Sequence, residues 1–440
     1  MNNIVDYKDQ DVGILGLGLS GLAAVEVLLN SKANIFVFDD NKEKPSNIKK
    51  RNWINYKFWP WKSIKTLVVS PGIPIYNKQK HNAIKLALDN NVQIINDIDL
   101  LIETKPKAKI VGITGTNGKS TTAALLFHIL KFNKIKSVIC GNFGIPACSI
   151  NDPGRNGVII LELSSYQLEG AKKLSLDIAT IINITPDHLD YHGSFDRYVS
   201  SKLKIINFLK KNGIFFYEKC NKLINQIINP ENYKSLKFIR TNVKESKDFI
   251  NDNCFLKGEH NQINASIAIS IAKQLNVQDS QIKLAIKSFE GLSHRMEPIY
   301  ISKNLRIIND SKSTNGESTA AALRSFNNIF WIVGGEPKDD GIGQAKQFLG
   351  KVVEVFLIGN SINCFSEEIL KLNKNIPLNK CITLEKATTL AIKKSKLSTL
   401  KNHVILFSPT AASFDQFKNF EDRGNKFKEI INDQLDKGVI

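Results

Sequence analysis

The chain has 440 residues, of which 42% are hydrophobic and 23% are charged, and this composition excludes a disordered or collagen-like protein. At roughly 150 residues per domain, the length predicts about three domains. The formal net charge of +18 arises from 60 Lys and Arg residues against 42 Asp and Glu residues. Only eight of the basic residues are Arg, and no dense basic tract occurs. Because Arg is the side chain favoured for nucleic-acid recognition, we predict no nucleic-acid partner.

Cysteine usage and the apolar runs indicate the compartment. Six Cys residues are scattered, and no Cys-x-x-Cys occurs, which argues against a disulfide framework and a cysteine zinc site. The apolar runs are much shorter than the roughly 20 residues that span a bilayer. The N-terminus lacks the basic and long apolar regions of a signal peptide. We therefore expect a cytoplasmic protein with no membrane partner.

Short apolar runs alternate with longer helical patterns along the chain, which is typical of α/β architecture with parallel sheets. A charged, Pro-containing link at 103–109 and a second boundary at 295–298 predict domains at residues 1–105, 106–297 and 298–440. The predicted strands are Val12–Leu15, Ile35–Phe38, Thr66–Val69, Ile110–Ile113, Gly157–Leu161, Ile178–Ile182, Arg306–Ile308, Phe330–Val333, Val353–Ile358 and His403–Phe407.

A glycine loop follows the first predicted strand. Gly16–Gly21 reads GLGLSG and leads into an apolar helical pattern. This G-x-G-x-x-G spacing allows the backbone to approach a diphosphate, and the helix N-terminus supplies free N–H groups. Asp39 and Asp40 close the next strand, where a ribose-binding acid is expected. The pattern predicts a nucleotide-diphosphate site; read alone, it also fits a nicotinamide oxidoreductase or a tight turn without a ligand.

A second glycine loop opens the predicted central domain. Thr114–Thr121 reads TGTNGKST between a strand and a helical pattern. In such a P-loop the backbone N–H groups cradle phosphates, Lys119 neutralises the β and γ oxygens, and Ser120 can ligate Mg²⁺. Ile113 occupies the first Gly position of the usual motif. This variant P-loop predicts a nucleoside triphosphate site.

Polar side chains follow the next two predicted strands. Glu162 ends one strand, and Asp187 and His188 come after the other. Residues just beyond the carboxyl ends of parallel strands line the ligand crevice of an open sheet. Lys202 lies further on, in a helical pattern. A carboxylate and an imidazole in this crevice predict a metal site opposite the P-loop serine, although His is a poor ligand for Mg²⁺.

Together these segments resemble the Mur ligase family over essentially the whole chain. The resemblance rests on motifs that occur in family order: GLGLSG (16–21), TGTNGKST (114–121), ELSSYQLE (162–169), NITPDHLD (183–190), GEHNQINA (258–265), LSHRMEP (292–298), NDSKSTN (309–315) and SPTAASFDQFKNFEDRG (408–424). It implies a Rossmann-like N-terminal domain, a central P-loop ATPase-type domain with a mainly parallel sheet, and a Rossmann-like C-terminal domain. The last two motifs resemble the glutamate-adding branch most. That branch implies an ATP- and Mg²⁺-dependent ligase that joins D-glutamate to UDP-N-acetylmuramoyl-L-alanine in peptidoglycan precursor synthesis. We expect the protein to be a monomer.

The resemblance also implies roles for individual residues. The UDP-substrate residues would be Gly18, Leu19, Ser20, Asp39, Ser70, Asn142 and His188. The ATP residues would be Gly115, Thr116, Asn117, Gly118, Lys119, Ser120, Thr121, Asn261, Asn264, Arg295 and Asp310. The catalytic residues would be Lys119, Glu162, His188 and Lys202, and Ser120, Glu162, His188 and a carbamylated Lys202 would support the metal. The D-glutamate residues would be Lys312, Thr314, Lys338, Ser413 and Phe420.

Two departures and several alternatives accompany this prediction. Asn41 stands where relatives have an Arg, and the GGEPKDDG loop around Lys338 differs from the usual glycine-rich form. A sister Mur ligase that adds another amino acid, or a folylpolyglutamate-type ligase, would share the P-loop. An oxidoreductase would leave the P-loop idle. A nucleic-acid-stimulated ATPase would leave the first glycine loop unexplained, and no aromatic-basic stacking motif accompanies the charge.

Overall fold

The computed structural model describes residues 5–41, 44, 48–75, 80–219, 221–251, 253–256, 258–337 and 341–440. Within these ranges the strands are β1 (Asp11–Leu15), β2 (Asn34–Phe38), β3 (Thr66–Val69), β4 (Gln93–Ile95), β5 (Lys109–Thr114), β6 (Ser137–Gly141), β7 (Val158–Glu162), β8 (Leu176–Ile181), β9 (Leu209–Glu218), β10 (Lys237–Thr241), β11 (Glu297–Ile301), β12 (Leu305–Asn309), β13 (Ile329–Gly334), β14 (Val352–Ile358), β15 (Leu378–Ile382) and β16 (His403–Phe407). The α-helices are α1 (Leu19–Asn30), α2 (Asn82–Asp89), α3 (Asp97–Glu103), α4 (Lys119–Phe132), α5 (Ser165–Gly170), α6 (Leu189–His192), α7 (Phe195–Asn207), α8 (Lys222–Ile227), α9 (Val243–Ile250), α10 (Glu259–Gln274), α11 (Asp279–Lys287), α12 (Gly316–Arg324), α13 (Ile362–Leu372), α14 (Leu384–Leu397) and α15 (Phe420–Asp436).

The strands form three sheets. The first has the order β2-β1-β3-β4, and the second has the order β10-β9-β8-β5-β7-β6. All described pairings in these two sheets are parallel. Every residue of β7 is buried, as expected for a parallel strand that is covered on both faces.

The third sheet is mostly parallel. Its order is β11-β12-β16-β13-β14-β15, and β11 pairs with β12 antiparallel. Pro298 lies in β11, an edge strand, where a missing N–H is tolerated. The predicted α/β class with mainly parallel sheets is confirmed.

All ten predicted strands are present to within two residues of the predicted ends. Strands β4, β6, β9, β10, β11 and β15 were not predicted from the sequence. Among the described residues, no helix is long and apolar enough to cross a membrane. Cys140, Cys148, Cys364 and Cys381 are free thiols.

The chain divides into two compact units. One comprises Met1–Asp252 with Asn261–Phe289, and the other comprises Asn253–His260 with Glu290–Ile440. The first unit contains the first two sheets, and the second unit contains the third. The division into domains 1–105, 106–297 and 298–440 stays a prediction.

Helix α3 ties the first two sheets together. Its N-cap, Asn96, forms a capping box with Asp99, and the Asn96 amide donates to the Gln167 carbonyl at 2.9 Å. The buried Asp99 carboxylate accepts from the Lys172 and Lys173 backbone N–H groups at 2.9 and 2.7 Å. Burial raises the pKa of Asp99, and these backbone bonds oppose the rise.

Candidate active site

The first glycine loop borders a cavity of about 530 Å³. The third glycine is required by packing, because a Cβ on Gly21 would lie 2.0 Å from the Gly16 carbonyl oxygen. The cavity is lined by Gly16, Gly18, Leu19, Ser20, Asp39, Asp40, Asn41, Ser70, Pro71, Gly72, Ile73, Gly141, Asn142, Ser164, Tyr166 and Gln167. The structure therefore brings together six of the seven residues predicted for the UDP substrate; His188 is not among the lining residues.

The carboxylate of Asp39, directly after β2, binds the backbone of the first glycine loop. Asp39 accepts from the Leu17 N–H at 2.6 Å with one carboxylate oxygen and from the Asn41 N–H at 2.9 Å with the other. Its neighbour Asp40 lies 2.9 Å from His81 Nε2. Because His81 Nδ1 accepts from the Ala83 N–H, Nε2 is the protonated nitrogen, and it donates to Asp40. The cavity wall at this end therefore carries two oriented carboxylates.

The P-loop joins β5 to α4, as predicted. Lys119 is the first residue of α4, and its ammonium donates to the carbonyls of Gly115 and Thr116 at 2.9 Å each. Asn183 clamps the loop from the end of β8: its amide accepts from the Asn117 N–H at 2.9 Å and donates to the Asn117 carbonyl at 3.1 Å. The loop presents the N-terminus of a 14-residue helix, which favours an anion.

Gly118 explains how helix α10 reaches the loop. It has a φ of +85°, and a Cβ there would lie 2.2 Å from Asn264 Oδ1. Asn264 in turn donates to Asn261 at 3.3 Å, and both are buried. Of the two residues on α10 predicted to contact ATP, Asn264 thus lies against the P-loop, and Asn261 is bonded to Asn264.

A buried carboxylate connects the P-loop to the cavity. Glu162 accepts from the Ser120 hydroxyl at 2.6 Å with Oε2 and from the Asn142 amide at 2.7 Å with Oε1. Glu162 is 1% exposed, so neither bond is replaced by bulk water. Asn142 also lines the cavity, and it therefore belongs to both sites.

Lys202 is the buried amine of this region. It lies on α7, is 1% exposed, and donates to the Gly115 carbonyl at 2.9 Å. Burial, assisted by the charge of Lys119, holds the pKa of Lys202 well below its ordinary value, although Asp187 and Glu162 oppose the shift. Its Nζ lies 4.6 Å from the ring centroid of Tyr198, whose hydroxyl is 2.9 Å from Thr116 Oγ1.

His188 precedes α6 in a left-handed conformation, with a φ of +54°. Its Nε2 lies 3.6 Å from Asp187, and its ring is 5.0 Å from that of Tyr166, a residue of the cavity wall. No group of three or more His, Cys, Asp or Glu side chains that could hold a metal occurs among the described residues.

The second unit carries the remaining predicted residues. Asp310 is buried and accepts from the Met296 N–H at 3.0 Å, from the Ser408 hydroxyl at 2.9 Å and from the Ser313 hydroxyl. Burial raises its pKa to about 6, although these bonds and the charge of Arg295 oppose the rise. Asp310 therefore joins the segment after Arg295 to the ends of β12 and β16.

Four of the five predicted glutamate residues lie on two loops and at the start of a helix. Lys312 places its ammonium 3.8 Å from the ring centroid of Phe420, the first residue of α15. Ser413 is 2% exposed, and its backbone carbonyl accepts from the Phe417 N–H at 2.8 Å. Thr314 is half-buried directly before Asn315, the N-cap of α12. Lys338 lies outside the described residues.

Two residues that support the P-loop, Asn183 and Tyr198, were not predicted from the sequence. The signal for Tyr198 was available, because residues four apart on a helix share a face and Tyr198 precedes Lys202 by one turn. The roles assigned to individual side chains stay predictions.

Comparisons with known proteins identify the family. The family model described as Mur ligase middle domain matches residues 113–278, and the model described as Mur ligase MurD-like, N-terminal domain matches residues 10–96. The UDP-N-acetylmuramoylalanine–D-glutamate ligase of Wolbachia sp. subsp. Brugia malayi is 34% identical over 99% of this chain and 98% of its own length. The chain belongs to the Mur ligase family.

Other relatives agree with this assignment. The protein of the same name from Rickettsia bellii is 32% identical to this Mur ligase over 97% of this chain and 98% of its own length. Among solved structures, UDP-N-acetylmuramate-alanine ligase MurC from Thermotoga maritima has a TM-score of 0.58 at 16% identity, covering 96% of this chain and 99% of that chain. MurF ligase from Thermotoga maritima in complex with ADP has a TM-score of 0.56 at 18% identity, covering 87% of this chain and 97% of that chain. The predicted enzyme class, an ATP-dependent amide-bond-forming ligase, is confirmed.

Proposed function

We propose that this Mur ligase joins D-glutamate to UDP-N-acetylmuramoyl-L-alanine at the expense of ATP. One observation carries the proposal: the Asn142 amide lines the cavity beside the first glycine loop and also donates to Glu162, which holds the P-loop Ser120. A substrate whose diphosphate lies on the first loop and a triphosphate on the second would therefore have their reacting ends on either side of one side chain. The full-length similarity to proteins named as D-glutamate ligases supports glutamate as the added amino acid.

The reaction needs an activated carboxylate, because a carboxylate and an amine do not condense unaided at useful rates. The L-alanine carboxylate attacks the γ-phosphorus of ATP, the bond to the bridging oxygen breaks, and an acyl phosphate and ADP form. The glutamate amine then attacks the acyl carbon, loses a proton, and phosphate leaves. Negative charge develops first on the transferring phosphoryl group and then on the tetrahedral oxygen.

The described residues suit the first step. Lys119 exchanges its bonds to the Gly115 and Thr116 carbonyls for phosphate oxygens, which are stronger acceptors because they are charged. The N–H groups at the start of α4 face the same anion. Asn264 lies against Gly118 of the loop and is itself bonded to Asn261.

Mg²⁺ fits the donors that are present. A protein commonly binds it through one or two carboxylates together with substrate phosphates, and Glu162 with the Ser120 hydroxyl supplies this set. Bound there, the ion would neutralise the charge that builds on the phosphoryl oxygens. His188, whose ring lies beside Tyr166 of the cavity wall, is the weaker candidate ligand of the set.

We include a carbamylated Lys202 in the proposal. Burial lowers the pKa of Lys202, which favours the neutral amine, the nucleophilic form. In the modification the nitrogen attacks the carbon of CO₂, an N–C bond forms, and one proton is released. The product is an anion, which suits a position next to Lys119 and a bound cation better than a second ammonium does. Intact-mass spectrometry with and without bicarbonate tests this, and an unmodified Lys202 in active enzyme contradicts it.

Glutamate itself is assigned to the second unit. Lys312 supplies a charge-assisted bond to a carboxylate, and the Ser413 hydroxyl supplies a neutral one. The Phe420 ring keeps the Lys312 ammonium in place. Thr314 lies on the same loop as Lys312. Lys338 is proposed as a further carboxylate partner. The proposed cellular setting is a cytoplasmic monomer that acts on small molecules.

The decisive experiment is phosphate release from the purified protein with ATP, Mg²⁺, UDP-N-acetylmuramoyl-L-alanine and D-glutamate, omitting each in turn. We expect release only with all four, and a product heavier by one glutamate residue. Release that needs the UDP-sugar but prefers another amino acid would overturn the glutamate assignment and leave the ligase assignment intact. Oxidation or reduction of a nicotinamide cofactor, or DNA-stimulated ATP hydrolysis, would support the rival classes.

A further inference from the structure

Arg423 is a fully buried guanidinium in the first turn of α15, with 1% of its surface exposed. Its five N–H groups all have acceptors. Nε donates to Ser311 Oγ at 3.1 Å, and the two terminal nitrogens donate to the carbonyls of Ser311, Ala411 and Ala412 at 2.8 to 3.1 Å. A guanidinium has five donors in a fixed planar fork, so this side chain is saturated in one geometry.

The acceptors are unusual because they are neutral. Burial lowers the pKa of Arg423 to about 10, with the charge of Asp415 opposing the shift, so the group stays cationic at neutral pH. A buried charge whose hydrogen bonds all go to carbonyls and a hydroxyl stabilises the fold less than an apolar residue of similar size would. This loss of stability indicates that Arg423 has a role beyond packing.

The acceptors belong to the segments that carry the proposed glutamate pocket. Ser311 directly precedes Lys312, and Ala412 directly precedes Ser413. The Ser311 hydroxyl also donates to the Phe420 carbonyl at 2.9 Å. One side chain therefore fixes the backbone of two loops and, through Ser311, of the helix start on which Phe420 lies.

We propose that Arg423 is the positioning residue of the glutamate pocket, which it builds by holding the 311–314 loop, the 411–413 loop and the start of α15 in one arrangement. The proposal rests on the proposed function, because it concerns the same amino-acid site. Arg423 contacts none of the reacting groups; it acts through the placement of Lys312, Ser413 and Phe420. A Lys at this position keeps the charge but has a single donor centre, which cannot reach all the acceptors at once.

The test compares Arg423→Lys and the milder Ser311→Ala with two controls. Arg324→Lys makes the same chemical change at an exposed site in the same unit, where Arg324 lies 3.4 Å from Glu259. Ile431→Ala creates a cavity further along α15, where Ile431 is fully buried, and therefore lowers stability without touching the loops. Steady-state KM and kcat are measured for each of the three substrates, together with the melting temperature.

We expect Arg423→Lys to raise the KM for D-glutamate by about 10- to 100-fold, the loss typical when a supporting contact is removed. Ser311→Ala should raise it by about two- to tenfold, as for one hydrogen bond. The KM values for ATP and the UDP-sugar should stay within about twofold. Ile431→Ala should lower the melting temperature with all three KM values unchanged, and Arg324→Lys should change none of them.

Two results would overturn the proposal. One is an Arg423→Lys enzyme with a lowered melting temperature but a normal KM for D-glutamate, which is the behaviour expected of Ile431→Ala. The other is a Ser311→Ala enzyme that raises all three KM values equally. Failure of the proposed function is distinguishable, because the wild type would then show no D-glutamate-dependent phosphate release. If another amino acid supports release, the KM for that amino acid becomes the readout.

Discussion

Replacing Asn142 by Ala tests the link between the cavity and the P-loop. The substitution removes the amide that donates to Glu162 Oε1 at 2.7 Å and leaves that oxygen of a buried carboxylate without this partner. A hydrogen bond to a charged group contributes about 1.5–3 kcal/mol. A free-energy difference of about 1.4 kcal/mol corresponds to a tenfold change in rate. If the whole free energy of this hydrogen bond is lost in the transition state, kcat/KM falls by about 10- to 150-fold.

A matched control exists in the second unit. Asn379 donates its amide to Glu354 Oε1 at 3.0 Å, so Asn379→Ala removes the same kind of bond away from the site. Initial rates of phosphate release with varied UDP-N-acetylmuramoyl-L-alanine give kcat/KM for both variants. We expect the loss in Asn142→Ala alone. A rate within twofold of wild type, or an equal loss in Asn379→Ala, would refute the coupling of the two sites through Asn142.

Three further outcomes are expected. Lys119→Ala should lower kcat by at least about 100-fold, the effect of removing one transition-state donor, in the phosphate-release assay. Lys312→Ala should raise the KM for D-glutamate or abolish turnover, whereas the affinity for ATP, measured by calorimetry, should not change. Asp310→Asn should remove a pH-dependent part of stability. Because the folded-state pKa of Asp310 is raised from 3.8 to about 6, the native state binds the proton more tightly than the unfolded state, and wild-type stability is lost as pH rises through this window. The loss is up to about 3 kcal/mol, measured by urea unfolding at the two ends of the window.

Each of these three predictions has a result that would contradict it. Near-normal turnover by Lys119→Ala would remove the P-loop assignment. An unchanged glutamate response in Lys312→Ala would move that pocket elsewhere. A constant difference in unfolding free energy between Asp310→Asn and wild type from pH 4 to pH 7 would mean that Asp310 titrates normally in the native state.

The sequence predicted the inner strands well and the outer strands poorly. Strands such as β5 and β7 are buried on both faces and read as continuous apolar runs. Five of the six strands that were missed, β4, β6, β10, β11 and β15, lie at the edge of a sheet. Edge strands carry polar residues such as Lys380 in β15, which dilute the apolar signal.

The candidate site shows the same division. The loop Gly16–Gly21 and the P-loop were predictable, because the spacing of their glycines and the presence of Lys119 are typical of phosphate-binding loops. Contacts between distant segments were not predictable: the approach of Asn264 to Gly118, and the Asn142–Glu162 bond, depend on tertiary packing. The saturation of Arg423 by neutral oxygens likewise has no counterpart in the local sequence.

The bonds of helix α3 have a consequence for how the chain folds. Asn96 and Asp99 form hydrogen bonds with helix α5, which follows β7 of the second sheet, and with the residues after that helix. If the first 105 residues were expressed alone, Asp99 would lose the Lys172 and Lys173 N–H groups, each lost bond to a charged group costing about 1.5–3 kcal/mol. That is a large share of the stability of a small domain. The first two sheets are therefore expected to unfold in one cooperative transition, and the Lys172 and Lys173 amides to exchange with solvent only through that global opening.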